Sequence, residues 1–209
     1  MDNVIARLAS SQGINSTEPN KQLAREIIAT GDAAAVKVLA EHLDNKNKRL
    51  QSDCIKTLYE IGEQAPELIA PYAPMFIKLL NDKNNRMVWG GMTALSACAH
   101  LCAPQLYKVI ARIMDIADKG TVITRDHAVK ILVALSKHKE YAADILPLLL
   151  EQILAAPVNQ MPTYAEETAT VIDDAHKPQL LDIISTRLPD IEGAAKLKRL
   201  EKLVKKLKK

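Results

Sequence analysis

Apolar residues return along this chain at steps of three and four, the spacing of one buried face of an α-helix. In addition to this spacing, a longer motif recurs along the chain: a small residue, then an apolar pair, then another apolar residue one helical turn later. The second residue of the pair falls at positions 28, 58, 95, 135 and 172, so the pattern repeats at steps of 30, 37, 40 and 37 residues. A helical period near 40 residues is typical of stacked helical hairpins, because each hairpin buries its apolar face only against its neighbours.

The same spacing predicts five pairs of antiparallel helices and one further helix. Pro66, Pro104 and Pro178 each stand at the start of a second helix, where the missing N–H has no partner inside the helix in any case. Asp32 is placed to cap the second helix of the first pair. We expect a single domain over residues 1–209, with helix pairs at about 20–43, 48–80, 86–118, 123–155 and 162–188 and a basic C-terminal helix at 190–209.

Composition agrees with an all-α fold. Hydrophobic residues make up 48% of the chain but aromatic residues only 3%, so small and aliphatic side chains must provide most of the packing. No segment shows the two-residue alternation of a half-buried strand. The longest apolar run, Ile145–Leu150, is too short to span a membrane, and the first residues do not follow the pattern of a signal peptide. Three cysteines without a disulfide pattern favour a reducing compartment, and we therefore expect a cytoplasmic protein.

Two polar loops, Asp44–Arg49 and Asn81–Arg86, are nearly identical at a shift of 37 residues. Together with the apolar pairs that follow them and the prolines that open the partner helices, they resemble the HEAT repeats of the armadillo-type α-solenoid group. The resemblance covers residues 20–188. It implies a right-handed α-α superhelix (solenoid) of about five HEAT-like hairpins plus the basic C-terminal helix, with the second helices on the concave face. It also implies a ladder of loop residues, here Asp44, Asp82 and Asp118 with Arg49, Arg86 and Arg125.

Charge is concentrated at the C-terminal end. The segment Lys196–Lys209 contains eight basic residues and one acidic residue, so it carries +7 while the rest of the chain carries about −4. Its leucines recur at steps of three and four and predict one apolar stripe. Two interpretations follow: a helix that caps the last pair, or a helix that docks on an acidic protein, a nucleic acid or an anionic lipid.

Candidate catalytic and metal-binding groups are sparse. Cys98 and Cys102 are one turn apart, but two thiols alone do not make a zinc site, and with Cys54 they fall at apolar positions that predict packing. The five histidines are spread over different pairs, and no glycine-rich loop is present to hold a phosphate. Trp89 is either a core residue or an anchor for a partner. Gly90 beside it has no evident packing reason. We expect no catalytic residue, no metal and no cofactor.

The outward positions of the second helices mix both signs of charge, which favours a polypeptide over a phosphate backbone as partner. We therefore expect a monomeric, non-enzymatic protein–protein interaction scaffold that binds a polypeptide on its concave face. The alternative is a nucleic-acid-associated protein that uses the basic C-terminal helix with the lysines and arginines of the concave face, and an enzyme or an accessory subunit is a third option. The candidate partner-binding residues are Lys37, Tyr72, Lys78, Trp89, Lys108, Arg112, Glu151, Lys202, Lys205 and Lys206.

Overall fold

The computed structural model describes residues 4–208 of the chain. Within that range every regular element is a helix and no strand is present. Residues 1–3 and 209, which the expected domain and C-terminal helix include, lie outside the described part. The chain forms two compact units that divide between His127 and Ala128.

The first unit contains a short 3-10 turn and three helix pairs. Its first helices are long and unbroken, whereas the second helices of the second and third pairs are each divided into two shorter helices. The outer ends of the three pairs lie within about two residues of the bounds that the sequence pattern predicts. The elements are the 3-10 turn Val4–Arg7, α1 (Glu18–Thr30), α2 (Ala33–Glu41), α3 (Lys48–Gln64), α4 (Pro66–Ile69), α5 (Ala73–Leu79), α6 (Asn85–Ala97), α7 (Ala103–Lys108) and α8 (Ile110–Lys119).

Prolines account for the division between α4 and α5. Pro71 and Pro74 have no backbone N–H to continue an α-helix, and the chain passes between the two helices in the 3-10 turn Ala70–Tyr72. The division between α7 and α8 falls at Val109, whose φ of −113° and ψ of 15° leave the α-helical range. The predicted second helices of these two pairs are therefore each two helices in sequence.

Polar side chains fix where the helices of this unit begin. The Oδ1 atom of Asn47 accepts a hydrogen bond from the backbone N–H of Arg49 at 3.0 Å, and Oδ1 of Asn84 accepts one from the N–H of Arg86 at 3.1 Å. Asp32 caps α2 in the same way, as its position predicts. The two nearly identical loops thus start α3 and α6 by the same interaction.

The first helices pack on one another, with α3 against α1 on one side and α6 on the other. The contact between α3 and α6 explains Gly90. A Cβ atom on Gly90 would lie 2.8 Å from Cγ1 of Ile55, which is closer than such atoms come in folded proteins. A Cβ atom on Gly91 would lie 3.1 Å from the carbonyl oxygen of Phe76 in α5. The two glycines therefore let α6 approach α3 on one face and α5 on the other.

A buried polar cluster attaches the N-terminal segment to α1 and α3. The carboxylate of Asp53 accepts hydrogen bonds from the backbone N–H of Ser10 and from Nδ2 of Asn20, both at 2.7 Å. The Oδ1 atom of Asn20 accepts a further bond from the N–H of Ala9 at 2.9 Å. Asn20 is fully buried and Asp53 is 8% exposed. Because buried polar groups are costly unless they are bonded, this cluster fixes the path of the segment.

The second unit continues from α9, whose first residues belong to the first unit. Local turns fix where the last two helices of this unit begin. Asp173 accepts hydrogen bonds from the backbone N–H and the ring Nδ1 of His176, at 2.8 and 2.7 Å, and this turn precedes the helix opened by Pro178. Gly193, with a φ of 97°, precedes the last helix, which begins at Ala194 and not at the expected residue 190. The helices are α9 (Val122–Ser136), α10 (Lys139–Leu154), α11 (Met161–Thr168), α12 (Lys177–Arg187) and α13 (Ala194–Leu207).

The basic helix α13 packs on α11 and α12. Leu200, Leu203 and Leu207 of its apolar stripe are buried. Arg199 holds Glu166 of α11 through two nitrogen–oxygen contacts of 3.0 and 2.6 Å. The stripe therefore serves packing within the second unit, in agreement with the capping interpretation.

Candidate polypeptide-binding surfaces

The candidate residues on the second helices of the first unit form what we call the second-helix row. Lys37, Lys78, Lys108 and Arg112 are exposed on this row, and Tyr72 is half-buried. They come from three successive helix pairs, and contacts from one pair to the next connect most of them.

The row begins with a cluster around Glu41 at the end of α2. The Nζ atom of Lys37 lies 3.8 Å from Oε1 of Glu41. Burial raises the pKa of the Tyr72 hydroxyl above its usual value, and the negative charge of Glu41 raises this pKa further. Tyr72 therefore remains a neutral hydrogen-bond donor at neutral pH, close to side chains of both charges.

Two cations of the row extend to the preceding helix pair. Lys78 Nζ lies 2.6 Å from a carboxylate oxygen of Asp44, which follows α2. Arg112 donates from Nη2 to the carbonyl oxygen of Leu80, just beyond α5, at 2.8 Å and from Nη1 to Asp115 at 2.7 Å. Each cation thus lies at the C-terminal end of the preceding second helix, where the helix dipole favours positive charge. Each is also already bonded to negative or partly negative oxygens.

The second unit repeats this interaction with a residue that the sequence did not single out. Arg187 of α12 donates to the carbonyl oxygens of Leu154 and Ala156 at the end of α10, the latter at 2.9 Å. Glu151 is exposed on α10, as predicted. Gln152, the next residue of α10, is only 4% exposed.

Trp89 lies on α6, a first helix, and not on the second-helix row. Its ring is half-buried, with its centroid 6.4 Å from that of Tyr59 on α3 and the two planes tilted by 49°. Lys56 Nζ lies 4.6 Å from the centroid of the Tyr59 ring and pairs with Glu60. The aromatic contact joins α3 to α6, whereas the cation–π interaction lies within α3. Packing therefore accounts for one face of Trp89, and its exposed part remains a candidate anchor.

The three candidate lysines of α13 are exposed beside a cleft of about 530 Å³. They are Lys202, Lys205 and Lys206. The hydrogen bond from Arg199 holds the pKa of the Glu166 carboxyl below its usual value, and the charge of Lys202 acts in the same direction. The acid of this region is thus ionised and paired, while the lysines face solvent.

A further basic surface, which we call the loop edge, is not among those that the sequence predicts. It consists of exposed side chains on the two nearly identical loops and the helix starts that follow them: Lys46, Lys48, Arg49, Lys83 and Arg86. None of the five is in an ion pair with a carboxylate of residues 4–208. Asp44 is bonded to Lys78, and Asp82 accepts a hydrogen bond from the backbone N–H of Asn84 at 2.7 Å. The expected ladder is therefore wrong for the loops that carry Asp44 and Asp82.

The thiols of the chain are buried. Burial raises the pKa of Cys54 to about 12, and the charge of Asp53 adds to the rise. The Sγ atoms of Cys98 and Cys102 lie 3.8 Å apart, and the hydrogen bond between them raises the pKa of Cys98. At neutral pH the Cys54 and Cys98 thiols therefore remain protonated and are poor nucleophiles.

His127 connects α9 to α6 through two hydroxyl groups. Its ring nitrogens lie 2.7 Å from Oγ of Ser96 and 3.0 Å from Oγ1 of Thr93. The Ser96 hydroxyl also donates to the carbonyl oxygen of Thr93 at 2.9 Å. The Ser96 hydroxyl thus lies within hydrogen-bond distance of both the His127 ring and the Thr93 carbonyl oxygen, and these contacts pack the start of α9 on α6.

Two wider features concern residues 4–208 as a whole. No group of three or more His, Cys, Asp or Glu side chains in that range is arranged to hold a metal ion. None of the helices in the described range combines the length and the apolar character needed to cross a bilayer.

Comparison with known proteins relates the chain to others by fold alone. No protein-family model matches it, and no curated protein sequence matches it either. Two similar solved structures are engineered proteins from the Northeast Structural Genomics Consortium, each 16% identical over 100% of this chain and 97% or 99% of the other, with TM-scores of 0.65 and 0.64. A third is a designed armadillo repeat protein in complex with the peptide (KR)4, 13% identical over 98% of both chains, with a TM-score of 0.68. The fold is thus the all-α helical repeat fold of the HEAT and armadillo type, as the sequence predicts.

Proposed function

We propose that this protein is a non-enzymatic scaffold that binds a polypeptide along the second-helix row. The observation that carries the proposal is the pairing of the charges on the row. Lys37, Lys78 and Arg112 each lie within ion-pair distance of a carboxylate, and the neutral donor Tyr72 lies among them. A surface with both charges and a half-buried aromatic hydroxyl suits a polypeptide, whose own groups are mixed in the same way.

The fold supports the same proposal. The designed armadillo repeat protein that shares it holds a peptide, so this architecture can present a surface to an extended chain. Helical repeats gain binding surface by adding pairs, and a row drawn from three successive pairs is suited to a partner that is long relative to its width.

The alternative is a nucleic-acid-associated protein that uses Lys78, Lys108 and Arg112 with the lysines of α13. Two of those three second-helix cations already bond to carboxylates, whereas tracking a phosphate backbone requires a continuous stripe of available positive charge. The paired charges therefore favour the polypeptide.

A peptide selection tests the proposal. Full-length protein is immobilised, a displayed library of random peptides is selected on it, and selected peptides are measured by fluorescence anisotropy. We expect Lys37→Ala combined with Tyr72→Ala to weaken binding by at least about tenfold, as truncation of central interface residues does. Tyr72→Phe, which keeps the ring, checks that the loss does not arise from misfolding, and Lys130→Ala with Lys139→Ala is the control at exposed positions elsewhere.

Three results would contradict the proposal. The first is a selection that enriches no peptide. The second is peptide binding that the row variant and the control change equally. The third is tighter binding to a generic oligonucleotide than to any selected peptide, with an affinity that falls steeply as salt rises.

A further inference from the structure

Five cations that form no ion pair within residues 4–208 lie together on the loop edge of the first unit. Lys46, Lys48 and Arg49 belong to the loop before α3 and to its first turn, and Lys83 and Arg86 hold the matching places before and in α6. Because α3 and α6 pack directly on one another, the two groups lie about one interhelix distance apart, roughly 8–10 Å. Charge therefore accumulates where two copies of the same loop meet.

The carboxylates of this region are used elsewhere. Asp44 is bonded to Lys78, and Asp82 accepts from the backbone N–H of Asn84. Asp53 is 8% exposed and binds the N–H of Ser10 and the amide of Asn20. The cations of the loop edge thus have no negative partner in the described part of the chain, and their field is directed at solvent.

The loop edge borders two clefts that share Lys48. One, of about 750 Å³, lies between the segment 9–17 and the starts of α3 and α6, and it contains Lys48, Arg49 and Arg86. The other, of about 690 Å³, lies between the two loops and contains Lys46, Lys48 and Lys83. The larger cleft also includes Ser10, whose hydroxyl is buried and has no hydrogen-bond partner among the described residues.

We propose that the loop edge binds an acidic segment of a partner polypeptide. This inference rests on the proposed function only in taking a polypeptide as the partner, since it concerns a different surface. An extended chain rises about 3.3 Å per residue, so acidic residues three apart are separated by about 10 Å and meet the cations of both loops. The asparagine side chains in the clefts provide hydrogen-bonding groups for the peptide backbone.

A polypeptide fits this surface better than a nucleic acid does. The residues that line the two clefts include no aromatic side chain on which a base would stack. The positive stripe also ends after two loops, because Lys119, just before the next first helix, is paired with Asp115 at 2.5 Å. A phosphate backbone would need the stripe to continue.

Direct binding tests the inference. The probes are fluorescent peptides of equal length with the repeating unit Glu-Gly-Ser, Lys-Gly-Ser or Gln-Gly-Ser, and an oligo-dT strand. Each is titrated with the full chain by anisotropy at low salt. The test variant is Arg49→Glu with Arg86→Glu, and the control is Lys130→Glu with Lys139→Glu, which changes net charge equally at exposed positions elsewhere.

We expect the glutamate peptide to bind, the lysine and glutamine peptides not to bind, and the test variant to weaken the interaction by at least about tenfold. Each exposed ion pair raises the binding affinity roughly two- to fivefold, and reversing the charge of an arginine replaces attraction to the glutamate peptide by repulsion. The control variant should stay within about twofold of the parent protein. Circular dichroism should show unchanged helix content in both variants.

Three outcomes would overturn the inference: no binding of the glutamate peptide, equal weakening in the test and control variants, or oligo-dT binding that is tighter than peptide binding and is lost in the same variant. The result separates from that of the peptide selection. If selected peptides bind the second-helix row while the glutamate peptide does not bind, the proposed function stands and the acidic-partner inference fails.

Discussion

Replacing Asp53 by asparagine removes one acceptor from the buried cluster and adds a donor, with almost no change in shape. Both oxygens of Asp53 now accept hydrogen bonds, from the N–H of Ser10 and the amide of Asn20. An amide at position 53 has a single oxygen, so its NH2 group must face one of these donors. A flip of Asn20 does not repair the cluster, because its own oxygen already accepts from the N–H of Ala9.

The magnitude follows from these contacts. Hydrogen bonds to a charged group contribute about 1.5–3 kcal/mol, and one of them is lost while the other loses its charge. We expect Asp53→Asn to lower the free energy of unfolding by about 2–4 kcal/mol. For a chain of this length each kcal/mol lowers Tm by about 2–4 °C. The fall in Tm should therefore be on the order of 5–15 °C.

Urea denaturation and thermal melting, both followed by circular dichroism, measure the effect. The matched control is Asp44→Asn, because Asp44 has the same side chain in an exposed ion pair with Lys78, where a loss of only about 0–1 kcal/mol is expected. Hydrogen exchange at the Ser10 amide should be faster in the Asp53→Asn protein and unchanged in the control. Equal stabilities of the two variants would refute the claim that the cluster holds the N-terminal segment in place.

The remaining predictions concern packing and thiol reactivity. Gly90→Ala should lower the free energy of unfolding by about 1–2 kcal/mol, although alanine is the better helix former, because its Cβ meets Ile55. In the Ile55→Ala protein the same substitution should carry no penalty, and additive effects of the two substitutions would count against this contact. Leu200→Ala on α13 should lower the free energy of unfolding by about 2–4 kcal/mol in chemical denaturation, because Leu200 is buried. The control Leu197→Ala, at a half-buried position of the same helix, should lower it by at most about 1 kcal/mol. Equal losses would show that the helix does not pack as described. Cys54, whose pKa is about 12, should stay unreactive toward a thiol reagent at pH 8 in the folded protein and should react once urea unfolds it. Rapid labelling of Cys54 itself in the folded protein would contradict its burial.

Local patterns were sufficient for the fold because the elements of this chain are decided locally. The apolar steps of three and four, the capping position of Asp32 and the prolines at the starts of second helices each act within a few residues. The same reasoning missed the division of the second helices, since Pro71 and Pro74 are compatible with a helix start as well as with a break.

The surfaces were harder to predict, because they depend on which side chains meet across pairs. The sequence placed Lys78 and Arg112 outward correctly but could not show that both are bonded to the preceding pair. It assigned the loop residues to a ladder, whereas Asp44 and Asp82 bond elsewhere. The packing role of Gly90 could not be predicted from the sequence for the same reason, because its close neighbour Ile55 lies 35 positions earlier in the chain.

Within each unit, an arginine of a later helix pair donates to carbonyl oxygens of an earlier pair, so the dependence between pairs is not symmetric. Arg112 bonds to a carbonyl oxygen beyond the end of α5, and Arg187 bonds to carbonyl oxygens at the end of α10, so in both cases a later pair satisfies acceptors of an earlier one. Trimming a unit from its C-terminal side would expose those acceptors without a donor, while trimming from its N-terminal side would leave only a charged side chain that water solvates readily. Nested truncations should therefore be tolerated unequally, and within a unit the earlier pairs depend on the later ones more than the reverse.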